Sequence, residues 1–322
     1  MSSEPEPEAN ARSGSRSPAN LRRFIGIDLG GGRGKNTAVA RLEHLEKDGS
    51  WRLVLADAKS RHGQRGTGAA NEAPEGDAYF RDEVLVDYIE RWTDDATVVA
   101  IDAPLTLPPC LRCSLPCPGI SACEVPVVQW MRNHAPKLRG RGRSDPGKPS
   151  VTPYTQRATE LLLAGTGLRP REAMGQGTGP LAARAAWLRR RLSPILRLHE
   201  NLIEVHPPAT LTRLFGAERA RRAHQGEQSR VWEERKAVLH ALGHELAFAY
   251  VWPELVVRSV HVFHAVLCAF TAYLWAAGRA AGPTELAPGV ADDAAVRDAG
   301  LTLGELWLDD GWIWVPRRGA AG

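Results

Sequence analysis

Three acidic residues lie at or near the ends of short apolar runs, a pattern that can build a metal site. Asp28 ends FIGID, Asp102 ends TVVAID, and Glu204 lies within LIEV. A carboxylate in such a buried position is unfavourable without a partner, and Mg²⁺ and Mn²⁺ prefer carboxylate oxygen. We therefore predict that the acids hold Mg²⁺ or Mn²⁺, since two such ions can stabilise both oxygens of a phosphodiester displacement. The alternative for each acid is a strand cap or an ion pair with an arginine.

The glycine-rich stretch that follows Asp28, LGGGRGKNT, raises two nucleotide-binding alternatives. A P-loop requires glycine where Leu29 stands and serine or threonine where Asn36 stands, so the template fails at both positions. An actin-like ATP-dependent kinase also begins with a strand of this type, but it needs a second phosphate loop, and APL follows Asp102. The kinase is therefore the less favoured alternative, and we interpret residues 30–34 as a hairpin turn.

Apolar periodicity predicts the elements that must position these acids. The predicted strands are residues 24–28, 37–42, 51–56, 97–101 and 202–205, with a late strand at GWIWVP. The predicted helices are residues 77–92, 125–133, 155–164, 181–198 (bent at Pro194), 230–247 and 257–277. This order predicts an α/β fold of the ribonuclease H-like (RNase H-like) class: a mixed five-stranded sheet, its first three strands antiparallel, flanked by helices. Residues 103–153 form a Cys-rich and basic insertion.

Composition indicates a globular chain. With 322 residues and 43% hydrophobic content, residues 21–318 can form one RNase H-like domain. Residues 1–20 contain almost no large apolar side chain, which predicts a disordered tail. The sequence shows no signal peptide and no membrane-length apolar run, so we predict a cytoplasmic protein without a membrane partner. The net charge of +4 permits an anionic partner.

The insertion contains four of the five cysteines, Cys110, Cys113, Cys117 and Cys123, in the stretch CLRCSLPCPGISAC. In a reducing compartment such a cluster favours a metal over disulfides, because thiolates bind Zn²⁺ or an iron–sulfur cluster. Free or redox-active thiols are the alternative. Cys268, on an apolar helix, is predicted to be a core residue.

The insertion also contains the basic stretch KLRGRGRSDPGK, with Arg139, Arg141 and Arg143 interleaved with glycine. A flexible basic arm can follow a phosphate backbone, with arginine making bidentate contacts. These residues predict a nucleic-acid partner, DNA or RNA. The alternative is a solvated surface loop.

Six segments together carry a resemblance to a known family: IGIDLG, VAIDAPLTLP, PYTQRATE, GQGTGPLAARAAWL, LIEVHPPATL and HVFHAVLCAFTAYLWA. In order and spacing they resemble domain-of-unknown-function family 429, predicted nucleases of the RNase H fold. The resemblance implies that Asp28, Asp102 and Glu204 are catalytic. The chain departs from the family in having His261 and His264 where acids usually occur. His261 then acts as a ligand or general base, as in the H-x-x-D helix of resolvase-type relatives, and imidazole favours Mn²⁺ or Zn²⁺ over Mg²⁺.

Two arginines lie within the family-like segments. Arg157 in PYTQRATE and Arg184 in PLAARAAWL either contact a substrate phosphate or pair with the acids of the site. Together these observations predict a metal-dependent nuclease. The alternative is a nucleic-acid-binding module with a degenerate active site, which the two histidines favour.

Overall fold

A computed structural model describes most of the chain. The described residues are 21–31, 37–47, 50–60, 82–138, 151–248, 251, 253–286 and 303–320. The predicted tail 1–20, residues 32–34 of the predicted hairpin turn, and Arg139, Arg141 and Arg143 of the basic stretch lie outside these ranges. A search of the described helices finds none with the length and apolar character needed to cross a membrane.

The fold is a mixed α/β structure built on one sheet. Its strands are β1 (Arg23–Asp28), β2 (Ala38–Lys47), β3 (Ser50–Ser60), β4 (Thr97–Asp102), β5 (Leu202–Val205), β6 (Leu246–Ala247), β7 (Ala280–Ala281) and β8 (Ile313–Pro316). Within the described ranges the eight strands follow the order β6-β3-β2-β1-β4-β5-β8-β7. Strands β1 to β3 form an antiparallel meander, and β4 runs parallel to β1. Strand β8 is the one predicted at GWIWVP, whereas β6 and β7 are too short to give a sequence pattern.

Helices flank this sheet, as predicted. They are α1 (Asp82–Trp92), α2 (Pro109–Arg112), α3 (Pro126–Leu138), α4 (Ala158–Gly165), α5 (Gly179–Arg191), α6 (Pro207–Phe215), α7 (Ala217–Arg222), α8 (Gln228–Leu242), α9 (Pro253–Arg258), α10 (Val260–Ala276), α11 (Pro283–Leu286) and α12 (Leu303–Asp310). The bend predicted at Pro194 is wrong, because α5 ends before that proline, which cannot continue the backbone ladder. Likewise, α9 and α10 are separated by Ser259, whose hydroxyl caps α10 by accepting from Val262 N.

The two faces of the central strands bury different clusters. Phe24 and Ala100 pack with α10 on one face, while Ile25 and Ile101 pack with α1 and α5 on the other. Both faces are therefore covered, which explains why β1 and β4 are continuous apolar runs rather than alternating ones.

A close contact between β1 and α10 sets the position of that helix. A Cβ atom on Gly26 would clash with the Ala265 carbonyl and with Ala269, so only glycine allows this approach. The helix runs antiparallel to β1, because its later residue Tyr273 contacts the earlier strand residue Phe24. The N-terminal turn of α10 consequently lies over the carboxyl end of β1.

Part of the insertion packs into a third cluster, on α3, α4 and α12. Trp130 meets Trp307 edge-on with ring centroids 4.4 Å apart, and Ile120 and Cys123 pack against this cluster. The C-terminal end of the Cys-rich segment is thereby attached to the body of the protein.

Candidate metal centre

The carboxyl ends of β1 and β4 place two acids side by side. Asp28 and Asp102 are register partners in parallel strands, so their side chains lie on the same face of the sheet. The first two turns of α10 add His261 and His264, which lie three positions apart and share a helix face. His261 Nδ1 lies 2.7 Å from Asp28 Oδ2, and His264 Nδ1 lies 3.8 Å from the same oxygen. Four residues predicted from the sequence therefore meet at one place.

Three of these side chains are arranged as metal ligands. One ligand atom from each of Asp28, Asp102 and His264 lies within 4.8 Å of the others. Across the described ranges, this is the only set of three or more His, Cys, Asp and Glu side chains that meets this distance. Two carboxylate oxygens and one imidazole nitrogen suit Mn²⁺ or Zn²⁺ better than Mg²⁺ or Ca²⁺, which favour oxygen alone.

The environment of Asp28 disfavours the charged form of its carboxyl group. The pKa of Asp28 is raised to about 6: burial and the charge of neighbouring Asp102 raise it, while the hydrogen bond from His261 lowers it. Two carboxylates held together away from water repel each other, and a bound cation would remove that repulsion. The electrostatics therefore agree with the geometry in favouring a cation between Asp28 and Asp102.

A chain of hydrogen bonds fixes the tautomer of His264. His224 Nδ1 lies 2.7 Å from the Ala220 carbonyl, and His224 Nε2 lies 2.6 Å from His264 Nε2. Burial lowers the pKa of His224, and it lowers the pKa of His264 well below the usual histidine value, so both rings are neutral at neutral pH. A carbonyl can only accept, which makes His224 Nδ1 a donor and His224 Nε2 an acceptor.

His264 Nε2 must then donate to His224, which leaves the lone pair of His264 on Nδ1, the nitrogen that faces Asp28. This is the state that a metal ligand needs, because a histidine ligand usually donates its other ring nitrogen to an acceptor. His224 is therefore a positioning residue for the candidate centre.

Replacing His224 with phenylalanine is expected to weaken Mn²⁺ binding by roughly 10- to 100-fold, the usual effect of removing such a partner. Calorimetry measures the affinity, and ¹⁵N shifts of His264 report whether Nε2 still carries the proton. His224→Gln should retain part of the affinity, since its amide oxygen can accept. His240→Phe, at an exposed histidine on α8, is the control. Unchanged affinity together with an unchanged tautomer would contradict the assignment.

Sequence reasoning missed two histidines of the site, His206 and His224. His206 Nδ1 lies 3.5 Å from Asp102 Oδ1. Its position directly after LIEV, at a strand end like those of the two aspartates, was a usable signal. His224 gave none, because it follows the short helix α7 and reaches His264 across forty residues of sequence.

Glu204 lies on the opposite face of the sheet from the two aspartates. Its register partner in β4 is Ile101, not Asp102, and neighbouring residues of a strand point to opposite faces. Both of its oxygens are engaged by Arg157, at 2.6 and 2.7 Å, and one also accepts from the Leu105 backbone. This geometry makes Glu204 an ion-pair partner rather than a member of the metal group.

Arg157 is fully buried within an acidic shell. It contacts Glu204, Glu160 and the hydroxyl of Thr106. The neighbouring Glu204 and Glu160 raise the pKa of Arg157 against the opposing effect of burial. Of the two roles the sequence allowed for Arg157, the structure favours pairing with a site acid.

Arg184 has a comparable structural setting. It bonds Asp82 of α1, the Gly30 carbonyl and the Thr37 hydroxyl, so it joins both ends of the glycine-rich hairpin to the helical layer. The remaining predicted phosphate contacts, Arg139, Arg141 and Arg143, fall outside the described residues.

The four cysteines of the insertion are free thiols. Cys113 and Cys117 are exposed, while Cys110 and Cys123 are partly covered. Burial raises the pKa of Cys110, and the nearby thiols of Cys123, Cys117 and Cys113 raise it further. A cation bound to thiolates would reverse this repulsion, and the Zn²⁺ or iron–sulfur site stays a prediction. Cys268 is buried in α10, as expected of a core residue.

A cavity of about 1260 Å³ opens at this edge of the sheet. The metal group lies in its wall together with His206, His224 and His261. Arg157 and Glu204 also line it. The acids and histidines therefore border a space large enough to admit a substrate.

A protein-family model matches most of this chain. The model of a family described as "Protein of unknown function (DUF429)" matches residues 26–289, a range that includes Asp28, Asp102, Glu204 and both α10 histidines. Neither the curated proteins nor the solved structures contain a significant match to this chain. Since the family model covers most of the sequence, the chain belongs to the DUF429 family.

Proposed function

We propose that this protein is a divalent-metal-dependent nuclease of the RNase H-like class. The observation that carries the proposal is the meeting of Asp28, Asp102 and His264 in the wall of an open cavity. The order β3-β2-β1-β4-β5 within the sheet, with an antiparallel meander followed by parallel strands, supports the fold class. Because Glu204 is engaged by Arg157, these ligands favour one ion, Mn²⁺ before Mg²⁺.

The reaction is the hydrolysis of a phosphodiester. A bound divalent ion supplies a more acidic water and neutralises charge on the phosphate oxygens. The oxygen of a water molecule bonds to phosphorus while that water gives one proton to a base, one P–O ester bond breaks, and the leaving oxygen takes up a proton from solvent. Asp28, Asp102 and His264 would hold the ion.

His261 is suited to accept the proton of the attacking water. Its Nδ1 donates to Asp28 Oδ2, which leaves Nε2 as the basic nitrogen and fixes the ring orientation. The side chain is 37% exposed and lines the cavity, so a water molecule can reach it. His261 is therefore proposed as the general base.

The test is cleavage of labelled single- and double-stranded DNA and RNA in the presence of Mn²⁺. Asp102→Asn is expected to lower the rate about 1,000-fold, because losing a ligand removes several kcal/mol of transition-state stabilisation. Asp87→Asn, at an exposed acid of α1, should leave the rate unchanged. Mn²⁺ binding to the wild type should weaken as the pH falls through about 6, because protons then compete with the ion for Asp28.

A nucleic-acid-binding module without turnover is the second candidate. It is favoured by a histidine at position 264, where the family resemblance implies an acid, and by the pairing of Glu204 with Arg157; both reduce the negative charge of the site. Binding of the oligonucleotides without cleavage under Mn²⁺, Mg²⁺ or Zn²⁺ would support this candidate and contradict the nuclease.

A further inference from the structure

Two arginines on the α4–α5 connection border the cavity of the candidate centre. We propose that Arg169 and Arg171 form a phosphate-binding rim that contacts the backbone of the nucleic-acid strand. The inference rests on the proposed function and assigns it residues that neither the sequence motifs nor the metal group identified. The rim would hold the strand while the metal group acts on one of its phosphodiesters.

These two arginines differ from the other arginines of the cavity, which are paired with acidic side chains. Among the described residues four arginines line the cavity, and Arg157 is occupied by Glu204 and Glu160. Arg221 makes two bonds to Glu218. Arg169 and Arg171 are exposed, and within the described parts of the chain neither guanidinium has a hydrogen bond or ion pair. Their donors are therefore available to a ligand.

The connection that presents them is anchored to the protein. Leu168 and Ala173, which flank the pair, are buried. The side chain of Glu172, which follows Arg171, accepts hydrogen bonds from the Thr155 hydroxyl and the Gln156 amide. The two cations thus stand on a fixed support, which reduces the entropy lost when they bind an anion.

The backbone at Arg169 is held in an unusual state. Its φ of 42° lies in the left-handed region that non-glycine residues rarely adopt, and Pro170 restricts it further. The hydrogen bond from Leu168 N to the Leu163 carbonyl helps fix the chain just before it. Strain of this kind is frequent where a side chain must be aimed at a ligand.

The chemistry of the rim fits phosphodiesters of a strand. Guanidinium groups bind phosphate oxygens in a bidentate manner. The cavity of about 1260 Å³ exceeds the roughly 300–1,000 Å³ typical of small-molecule pockets. The arginines at the rim would bind phosphate, and the carboxylates at the sheet edge would bind the metal ion, so different groups perform the two tasks.

Binding of a fluorescent single-stranded oligonucleotide, measured by anisotropy in the Asp102→Asn background to prevent cleavage, tests the proposal. Arg169→Ala with Arg171→Ala is expected to weaken binding at least tenfold. Loss of two phosphate contacts should also reduce the slope of log affinity against log salt by about 1.4. The matched control, Arg52→Ala with Arg190→Ala, removes equal charge from exposed sites outside the cavity and should weaken binding less than twofold.

Lysine at both positions should restore part of the affinity, because it keeps the charge without the planar fork. Equal losses in the rim and control variants, or none in either, would overturn the proposal. A mononucleotide that binds as tightly as the oligonucleotide would also overturn it, since the rim would then serve a small phosphate ester. Mn²⁺ affinity, measured separately without that background, should be unchanged by the rim variants. If the wild type does not bind Mn²⁺ but the rim variants still weaken oligonucleotide binding, the nuclease proposal is therefore wrong and the rim proposal stands.

Discussion

Asp28→Asn is expected to make the metal-free protein more stable at about pH 8 while removing its metal-dependent activity. In the folded protein burial raises the pKa of Asp28 to about 6, against about 3.9 for an unfolded aspartate. Two pKa units correspond to on the order of 3 kcal/mol of penalty on the charged form. Asparagine carries no charge, and its amide oxygen can still accept from His261.

The direction of the pH dependence follows from the raised pKa. Between pH about 4 and 6 the folded state of the wild type holds more protons than the unfolded state, so its stability falls as the pH rises through this window. The advantage of Asp28→Asn is therefore expected to be full above pH 6 and to vanish near pH 4. Urea unfolding across this range measures it.

The same substitution is expected to lower turnover although it raises the stability of the metal-free protein. Loss of one carboxylate ligand should reduce turnover by about 1,000-fold, in line with several kcal/mol of metal stabilisation. Asp87→Asn should change neither stability nor turnover. A variant that is no more stable than wild type at about pH 8 would contradict the strained carboxylate pair, and full activity would contradict the ligand role.

Arg157→Met is expected to lower the free energy of unfolding by about 3–5 kcal/mol, because it leaves buried carboxylates without their partner. Glu204 and Glu160 both bond Arg157, and burial already raises the pKa of Glu160 to about 7. Arg190→Met, at an exposed position on α5, should stay within about 0.5 kcal/mol of wild type.

A second variant separates the ion-pair role from a substrate role. Replacing Arg157, Glu160 and Glu204 together with methionine should recover most of the lost stability, since apolar groups in place of a buried charged cluster are often neutral or stabilising. If Arg157→Met were as stable as wild type and lost oligonucleotide binding, Arg157 would instead be a phosphate contact. Guanidinium chloride unfolding and anisotropy distinguish the two results.

The aspartates could be predicted because the evidence for them is local. Asp28 and Asp102 each end a run of apolar residues, and strands buried on both faces have such runs. The histidines of α10 could be placed by the three-residue spacing on a helix. These signals need no knowledge of how separate strands are aligned.

Glu204 shows where local evidence ends. Its apolar run resembles the other two, but the register between β4 and β5 is set by tertiary packing, and a shift of one residue changes the face on which a side chain lies. The same holds for His224 and for the rim arginines. Their roles depend on which partners packing brings near, and for Arg169 and Arg171 on the partners it leaves out.

Anomalous diffraction from crystals soaked in Mn²⁺ tests whether Asp28, Asp102 and His264 bind a divalent ion. We expect one manganese peak, bonded to oxygens of Asp28 and Asp102 and to Nδ1 of His264, and the loss of this peak in Asp28→Asn. A peak bonded to Glu204, or no peak at the ends of β1 and β4 at saturating Mn²⁺, would contradict this expectation.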